Sequence, residues 1–342
     1  STQRSTLFPY TTLFRSQGVR MATVYVSEPI HPQVLQEMAG ATQLLLGFGP
    51  ASVVYDDVAA RVDAVMLRSE RFTAARILAS PRLKVIARHG AGLDTVDVRT
   101  AQDRGITVTY CPGGNAQAVA EHVFALVLSL ARKVVDAHTG LAHGPWPKAK
   151  PHLVGQELGV RSMGIVGFGE IGRLVARIAR GFGMPVLVHD PFVTPGVAAE
   201  HQAELVSVDD LLARAGVVSL HAPLTPGTRH LVNADRLARM PAHALLVNTA
   251  RSGLIDEAAL ADALVQGRIA GAALDVADAE LSPGGPVTFG GHALADVPNL
   301  LLTPHIAGQT EQALLNVGTI AWRDIQAVLA GQTPRFPVRP PT

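Results

Sequence analysis

The chain contains one cysteine, Cys111, among its 342 residues. A single thiol cannot close an intrachain disulfide or supply a cysteine-rich metal site. That excludes a disulfide scaffold and a thiolate-clustered zinc domain, no metal is expected, and the composition suits a reducing, cytoplasmic setting. A bias of charge is also missing: Lys plus Arg is 29 and Asp plus Glu 28, for a formal net charge of +1. Neither a nucleic-acid partner nor a charged membrane surface is implied. Long apolar runs are absent too. The best candidates, 124–131 and 271–276, fall well short of the ~20 residues that span a bilayer, and they read as a buried helix and a buried strand.

The first twenty residues show neither helical nor strand periodicity. Thr6 to Ser16 reads TLFPYTTLFRS, a stretch resembling a translated adapter, and Met21 then precedes ATVYVS, the first strand-like run. Residues 1–20 are therefore read as a non-native leader, an ordinary disordered leader being the alternative. They lack the combined basic, apolar and small-residue pattern of a secretory signal.

From Met21 onward short apolar runs alternate with helical patterns. Strands are expected at 23–27, 43–46, 64–67, 84–87 and 107–109, with helices at 32–40 and 97–103. Residues 116–135 hold no Gly or Pro and predict one long helix. A second series follows, with strands at 161–166, 186–189, 217–221, 245–248, 271–275 and 300–303 and helices at 171–181, 208–215, 234–238 and 257–267. Mostly apolar strands separated by helices imply an α/β fold: two Rossmann-like domains with parallel sheets covered on both faces. A last helix, 310–331, is expected to return to the first domain, and the Pro-rich end to be a tail.

The segment Gly167-Phe168-Gly169-Glu170-Ile171-Gly172 follows an apolar strand and opens a helix. The first glycine permits the tight turn, the second lets backbone approach a pyrophosphate, and the third lets helix and sheet pack closely. Asp190 closes the next strand, where a carboxylate can accept hydrogen bonds from ribose hydroxyls and repel a 2′-phosphate. NAD is therefore the expected cofactor, in preference to NADP. Reduction of a 2-oxo acid needs a cation for the carboxylate and a proton donor for the developing alkoxide. Arg251, Glu280 and His305 all follow strand ends, where open α/β sheets bind ligands. Taken singly, Arg251 is more often a surface charge and His305 a satisfied structural histidine, and Glu280 is the weakest of the three because Asp278 stands two residues away.

Several motifs occur together in order: Gly90-Ala-Gly-Leu-Asp94, Asn115 with Val119-Ala-Glu121, the glycine fingerprint, His221-Ala-Pro-Leu-Thr225, Asn248-Thr-Ala-Arg251, Leu274-Asp-Val276 and Thr303-Pro-His-Ile306. In this the chain resembles the D-isomer-specific 2-hydroxyacid dehydrogenases, from about Val24 to about Ala330. The resemblance implies that Arg251 binds the substrate carboxylate, that His305 is the general acid/base, and that Glu280 pairs with it. Asp278 is a rival for that pairing, because the Ala277-Asp278-Ala279-Glu280-Leu281 stretch departs from the family's usual Glu-x-Glu-Pro. It also implies substrate contacts at Arg68, Ser69, Arg88, Gly90, Ala91, Gly92 and Asn115. Cofactor contacts are implied at residues 167–172, Asp190, His221, Pro223, Thr228, Thr249, Ala250, Arg251, Asp275 and His305.

The implied architecture inserts an NAD-binding domain, 116–304, into a substrate domain of 21–115 plus 305–335, with 336–342 a tail and no C-terminal regulatory domain. Hinges are expected at 115–118 and 304–308, and a homodimer through the nucleotide domain, with the apolar stretch 119–130 and the loop around Trp146 as material. Arg68-Ser69 and Arg88 resemble the phosphate-holding residues of phosphoglycerate dehydrogenases, so 3-phosphoglycerate is the leading substrate and hydroxypyruvate or glyoxylate reduction the alternative. An alternative of another class is a non-catalytic NAD(H)-sensing protein similar to the corepressors of this fold.

Overall fold

The structure is a computed structural model and describes residues 20–146, 150–278, 294 and 296–339. Contacts divide the chain into two compact units. One runs through Cys111 and resumes at Gly318, and the other is Pro112–Val317. The second boundary falls inside the long helix Glu311–Leu329. The loop carrying His305, expected with the substrate domain, clusters with the second unit, because buried Asp275 binds its backbone.

The first unit is built on five parallel strands: β1 (Thr23–Val26), β2 (Gln43–Leu46), β3 (Ala64–Leu67), β4 (Val85–Arg88) and β5 (Thr107–Thr109). Their order in the sheet is β2-β1-β3-β4-β5, which reverses direction between β1 and β3. Both central strands read as unbroken apolar runs because both faces are covered, and Val24, Val26, Val65 and Leu67 are inaccessible to solvent. Tyr25, Tyr55 and Phe72 pack edge to face on one side.

The end of the chain differs from expectation. Residues 336–338, read as tail, lie along the free edge of β5. The Tyr110 N–H donates to the Phe336 carbonyl and the Val338 N–H to the Val108 carbonyl. Buried Asp324 accepts the N–H groups of Arg335 and Phe336, which turns the chain onto that edge. Proline suits such a place, since an edge strand leaves its missing N–H unneeded.

The second unit carries β6 (Met163–Val166), β7 (Val186–His189), β8 (Glu204–Leu205), β9 (Val217–Leu220), β10 (Leu245–Asn248), β11 (Gly271–Leu274) and β12 (Leu300–Leu302). All are parallel, in the order β12-β11-β10-β9-β6-β7-β8, with the reversal between β6 and β9. Alternate side chains feed two cores. Val186, Val188 and Val247 face the helices Ala116–Ala131 and Glu170–Gly181, and Leu187 and Leu246 face the opposite layer. Two Rossmann-like parallel sheets are thus present. Among the described residues no helix is long and apolar enough to cross a membrane.

The helix expected over 116–135 stops at Ala131. Lys133 turns into the left-handed region at φ 51°, and a separate helix runs Val134–His143. Tertiary structure explains the break. The returning chain at Gly155 crosses the helix end, and the Gln156 N–H takes the Ala131 carbonyl at 2.8 Å, which a continued helix would have used. The stretch 119–130, expected as dimer material, turns its apolar residues inward: Val119, Ala120, Val123, Phe124, Leu126 and Val127 are all buried. By contrast no residue of Val134–His143 is buried.

Candidate functional site

At the end of β6 the backbone turns through Gly167 at φ +93°. A Cβ there would lie 2.7 Å from the backbone of His221 and Ala222, which follow the neighbouring β9. Gly169 caps the helix Glu170–Gly181 without any side-chain cap, and a Cβ on it would meet nothing within 4 Å. The first N–H groups of that helix thus take no side-chain cap, and no side chain at Gly169 stands in the way of an anion. Gly172 packs against the Gly167 carbonyl, where a Cβ would be only 2.3 Å away. Phe168 is buried, and Glu170 and Ile171 form the helix's first turn.

Asp190, at the end of β7, accepts the Phe168 N–H at 2.7 Å and the Phe192 N–H at 2.8 Å. One carboxylate thus fixes the glycine turn and lies beside it, where a ribose hydroxyl can also be accepted. After β9, the His221 imidazole meets the Ser219 hydroxyl at 2.8 Å. Burial pushes it down to about 4, so it is neutral at physiological pH. The Thr228 hydroxyl donates to the Pro223 carbonyl at 2.7 Å and closes that loop. After β10, Asn248 binds both the Ala250 N–H and the Arg251 carbonyl, which shapes the turn bearing Thr249, Ala250 and Arg251. The Thr249 hydroxyl oxygen is buried and has no hydrogen-bond partner. A buried polar atom of this kind calls for a ligand partner. The uncapped helix terminus, the Asp190 carboxylate and this hydroxyl together fit NAD.

The third group surrounds Asp275, which follows β11 and is 1% exposed. Its Oδ1 accepts the Thr303 hydroxyl at 2.6 Å and the Ile306 N–H at 2.8 Å, and its Oδ2 accepts the Ala307 N–H at 2.8 Å. His122 approaches Oδ1 at 3.6 Å. Burial pushes this carboxyl up, but the nearby His122 and the bonds from Thr303, Ala307 and Ile306 outweigh it and hold the group below its ordinary value of 3.8. The His305 N–H donates to the backbone carbonyls of Asp275 and Thr303, and His305 stands at φ +52°. Asn115 lies against Gly308 at the end of the same loop. Arg251 is half-buried and donates to the Ala250 carbonyl at 2.7 Å. Glu280 lies outside the described residues, whereas Asp278 is exposed and its N–H donates to Glu257.

The remaining residues belong to the first unit and line the carboxyl ends of β1, β3 and β4. Arg68 donates to the Pro29 carbonyl at 2.8 Å. The Ser69 and Glu70 N–H groups both donate to the Glu28 carboxylate. Arg88 donates to the His89 carbonyl at 2.6 Å, and Gly90, at φ +152°, passes so close that a Cβ would be 2.7 Å from the Arg88 guanidinium. Ala91 is exposed and Gly92 half-buried beyond it. Cys111 steadies this loop, its N–H on the Gly90 carbonyl at 2.8 Å and its thiol on the Arg88 carbonyl at 3.3 Å. Sequence reasoning gave no role to Glu28, His122 or Thr303, because their partners are remote along the chain; Thr303 stood only as the first residue of the motif that carries His305.

Comparison with known proteins gives a consistent result. The profile of the D-isomer specific 2-hydroxyacid dehydrogenase NAD-binding domain matches residues 124–307. A D-3-phosphoglycerate dehydrogenase of Synechocystis sp. is 36% identical over 334 residues, 97% of this chain; the chain spans only 58% of that relative's length. The hydroxypyruvate reductase of Thermotoga maritima is 36% identical over 304 residues, which cover 86% of this chain and 94% of the relative. Among solved structures, a Thermus thermophilus protein superposes with a TM-score of 0.83 at 34% identity, over 93% of this chain and 100% of its own.

Proposed function

The chain belongs to the D-isomer-specific 2-hydroxyacid dehydrogenases, and we propose that it uses NAD to interconvert a small D-2-hydroxy acid and its 2-oxo acid. The observation that carries this reading is the 303–307 loop, bound at both oxygens of a buried carboxylate so that His305 is held in left-handed backbone. NAD, when bound, supplies or accepts the hydride. Arg251 then binds the substrate carboxylate. During reduction His305 gives a proton to the carbonyl oxygen, and during oxidation it takes the proton from the hydroxyl. Glu280 is the carboxylate partner of His305, with Asp278 the rival for that role.

For the far end of the substrate, 3-phosphoglycerate is supported by Arg68 at the reversal point of the first sheet and by the name of the Synechocystis relative. One observation favours hydroxypyruvate or glyoxylate instead: the Glu28 carboxylate already sits on the backbone N–H groups after β3, beside Arg68. We also place a homodimer contact on the second unit, where Val134, Val135, Leu141 and Trp146 are 42–73% exposed.

His305→Ala tests the activity. Turnover of 2-oxo acids with NADH should fall roughly 10²–10⁴-fold while NADH affinity is retained. A wild-type protein that binds NADH yet turns over none of glyoxylate, hydroxypyruvate, phosphohydroxypyruvate or pyruvate would instead be an NAD(H) sensor.

A further inference from the structure

His122 has no role in the chemistry above, yet it reaches the loop that carries the acid/base. It lies on the helix Ala116–Ala131, with its side chain 18% exposed. Its Nε2 is 3.2 Å from the Thr303 hydroxyl and 3.6 Å from Asp275 Oδ1. The Thr303 hydroxyl has one proton, which is committed to Asp275 Oδ1 at 2.6 Å. Toward His122 this oxygen can therefore only accept, so Nε2 must carry the hydrogen. A directed chain results: His122 Nε2–H to Thr303 Oγ1, and Thr303 O–H to Asp275. The carboxylate in turn receives the N–H groups of Ile306 and Ala307, on the far side of His305.

We propose that His122 is a positioning residue, whose Nε2–H holds the Thr303 hydroxyl on the Asp275 carboxylate and thereby fixes the backbone on both sides of His305. Three features make the contact more than packing. Thr303 and Ile306–Ala307 bracket His305, so the carboxylate ties both flanks of one residue. Asp275 is fully enclosed, so every donor aimed at it counts in a medium of low dielectric. The imidazole also belongs to a different element from the loop it steadies, so it sets the loop's place relative to the helix Ala116–Ala131. His122 touches no reacting atom and acts only through Thr303 and Asp275.

The inference rests on His305 being the acid/base, and the tests separate the two. Long-range ¹⁵N–¹H correlation on the full-length, cofactor-free protein reads the tautomer directly, with the His122 signals assigned by their loss in His122→Gln. The Nε2–H form is expected, and an Nδ1–H form overturns the proposal whatever His305 does. In turnover, His122→Leu should lower kcat about tenfold, the size of one lost hydrogen bond, with NADH affinity unchanged. His122→Gln offers an amide N–H to Thr303 and should recover most of the rate. Thr303→Val should lower kcat similarly, and His122→Leu added to it should do little more. Additive losses, or a His122→Gln variant as slow as His122→Leu, overturn the positioning role. Undiminished turnover in His305→Ala would instead remove the underlying reading and leave the tautomer result standing.

Discussion

Asp275→Asn perturbs the candidate site with little change of shape. The wild-type carboxylate accepts three short bonds, two at Oδ1 and one at Oδ2. An asparagine has one acceptor oxygen. If that oxygen keeps Thr303 and Ile306, its NH₂ group faces the Ala307 N–H across the 2.8 Å formerly spanned by a hydrogen bond. A buried donor without an acceptor costs about 1–3 kcal/mol, and loss of charge from the two remaining bonds adds about 1–2 kcal/mol. The loop can relieve part of this only by moving. A displacement of ~1 Å at a reacting group costs on the order of 10² in rate. We therefore expect kcat for 2-oxo acid reduction to fall about 100-fold at saturating NADH. NADH affinity, measured by fluorescence titration, should fall far less than kcat, because the glycine turn and Asp190, which hold the rest of the nucleotide, are untouched. The pH dependence has a definite sign. Asp275 titrates below its ordinary 3.8 in the folded protein, so its contribution is complete above that value and disappears as pH falls through the lowered one. The stability gap between wild type and variant should therefore narrow in acid, below about pH 4. A variant with wild-type kcat and an unchanged gap from pH 7 to pH 3 would refute the reasoning.

The other expected outcomes are simpler. Gly167→Ala puts a Cβ 2.7 Å from the backbone of His221 and Ala222 at φ +93°, so NADH binding should be lost and melting lowered by several degrees; calorimetry with and without NADH checks both. Asp190→Ala should narrow the preference for NADH over NADPH in kcat/KM and also lower melting, because the Phe168 and Phe192 N–H groups lose their acceptor. Arg68→Ala should raise KM for phosphohydroxypyruvate roughly ten- to a hundredfold more than for glyoxylate if the substrate carries a distal phosphate; equal small changes would leave the hydroxypyruvate or glyoxylate reading. Val135→Glu with Leu141→Glu should shift sedimentation toward the monomer without loss of fold, since neither side chain is buried.

The parallel sheets were legible because each strand is an apolar run bounded by turn residues, and the glycine fingerprint because it joins a strand to a helix. What escaped depended on distant partners. Nothing between residues 116 and 135 announces a break, because the cause, the Gln156 N–H on the Ala131 carbonyl, lies further along the chain. The pairing of 336–338 with β5 needed Asp324 to redirect the chain. The sequence marks Asp275 as a candidate by its place after an apolar strand, but not the bonding of its carboxylate to the His305 loop, since Ile306 and Ala307 contribute only backbone N–H groups. The short helices Tyr55–Val58 and Ala74–Leu78 left too few turns for a period to show.

The lone cysteine supplies a clock for motion in the first unit. Cys111 is 1% exposed, and burial above all pushes its thiol up to about 12. Only the thiolate attacks an alkylating or disulfide reagent. Near neutral pH the folded chain therefore withholds both the reactive form and access to it. The Cys111 N–H is bonded to the Gly90 carbonyl, so exposing the sulfur separates the strand end from the glycine loop. Labelling of this one atom, followed against time, measures how often that loop comes undone, with no second thiol among the 342 residues to blur the signal.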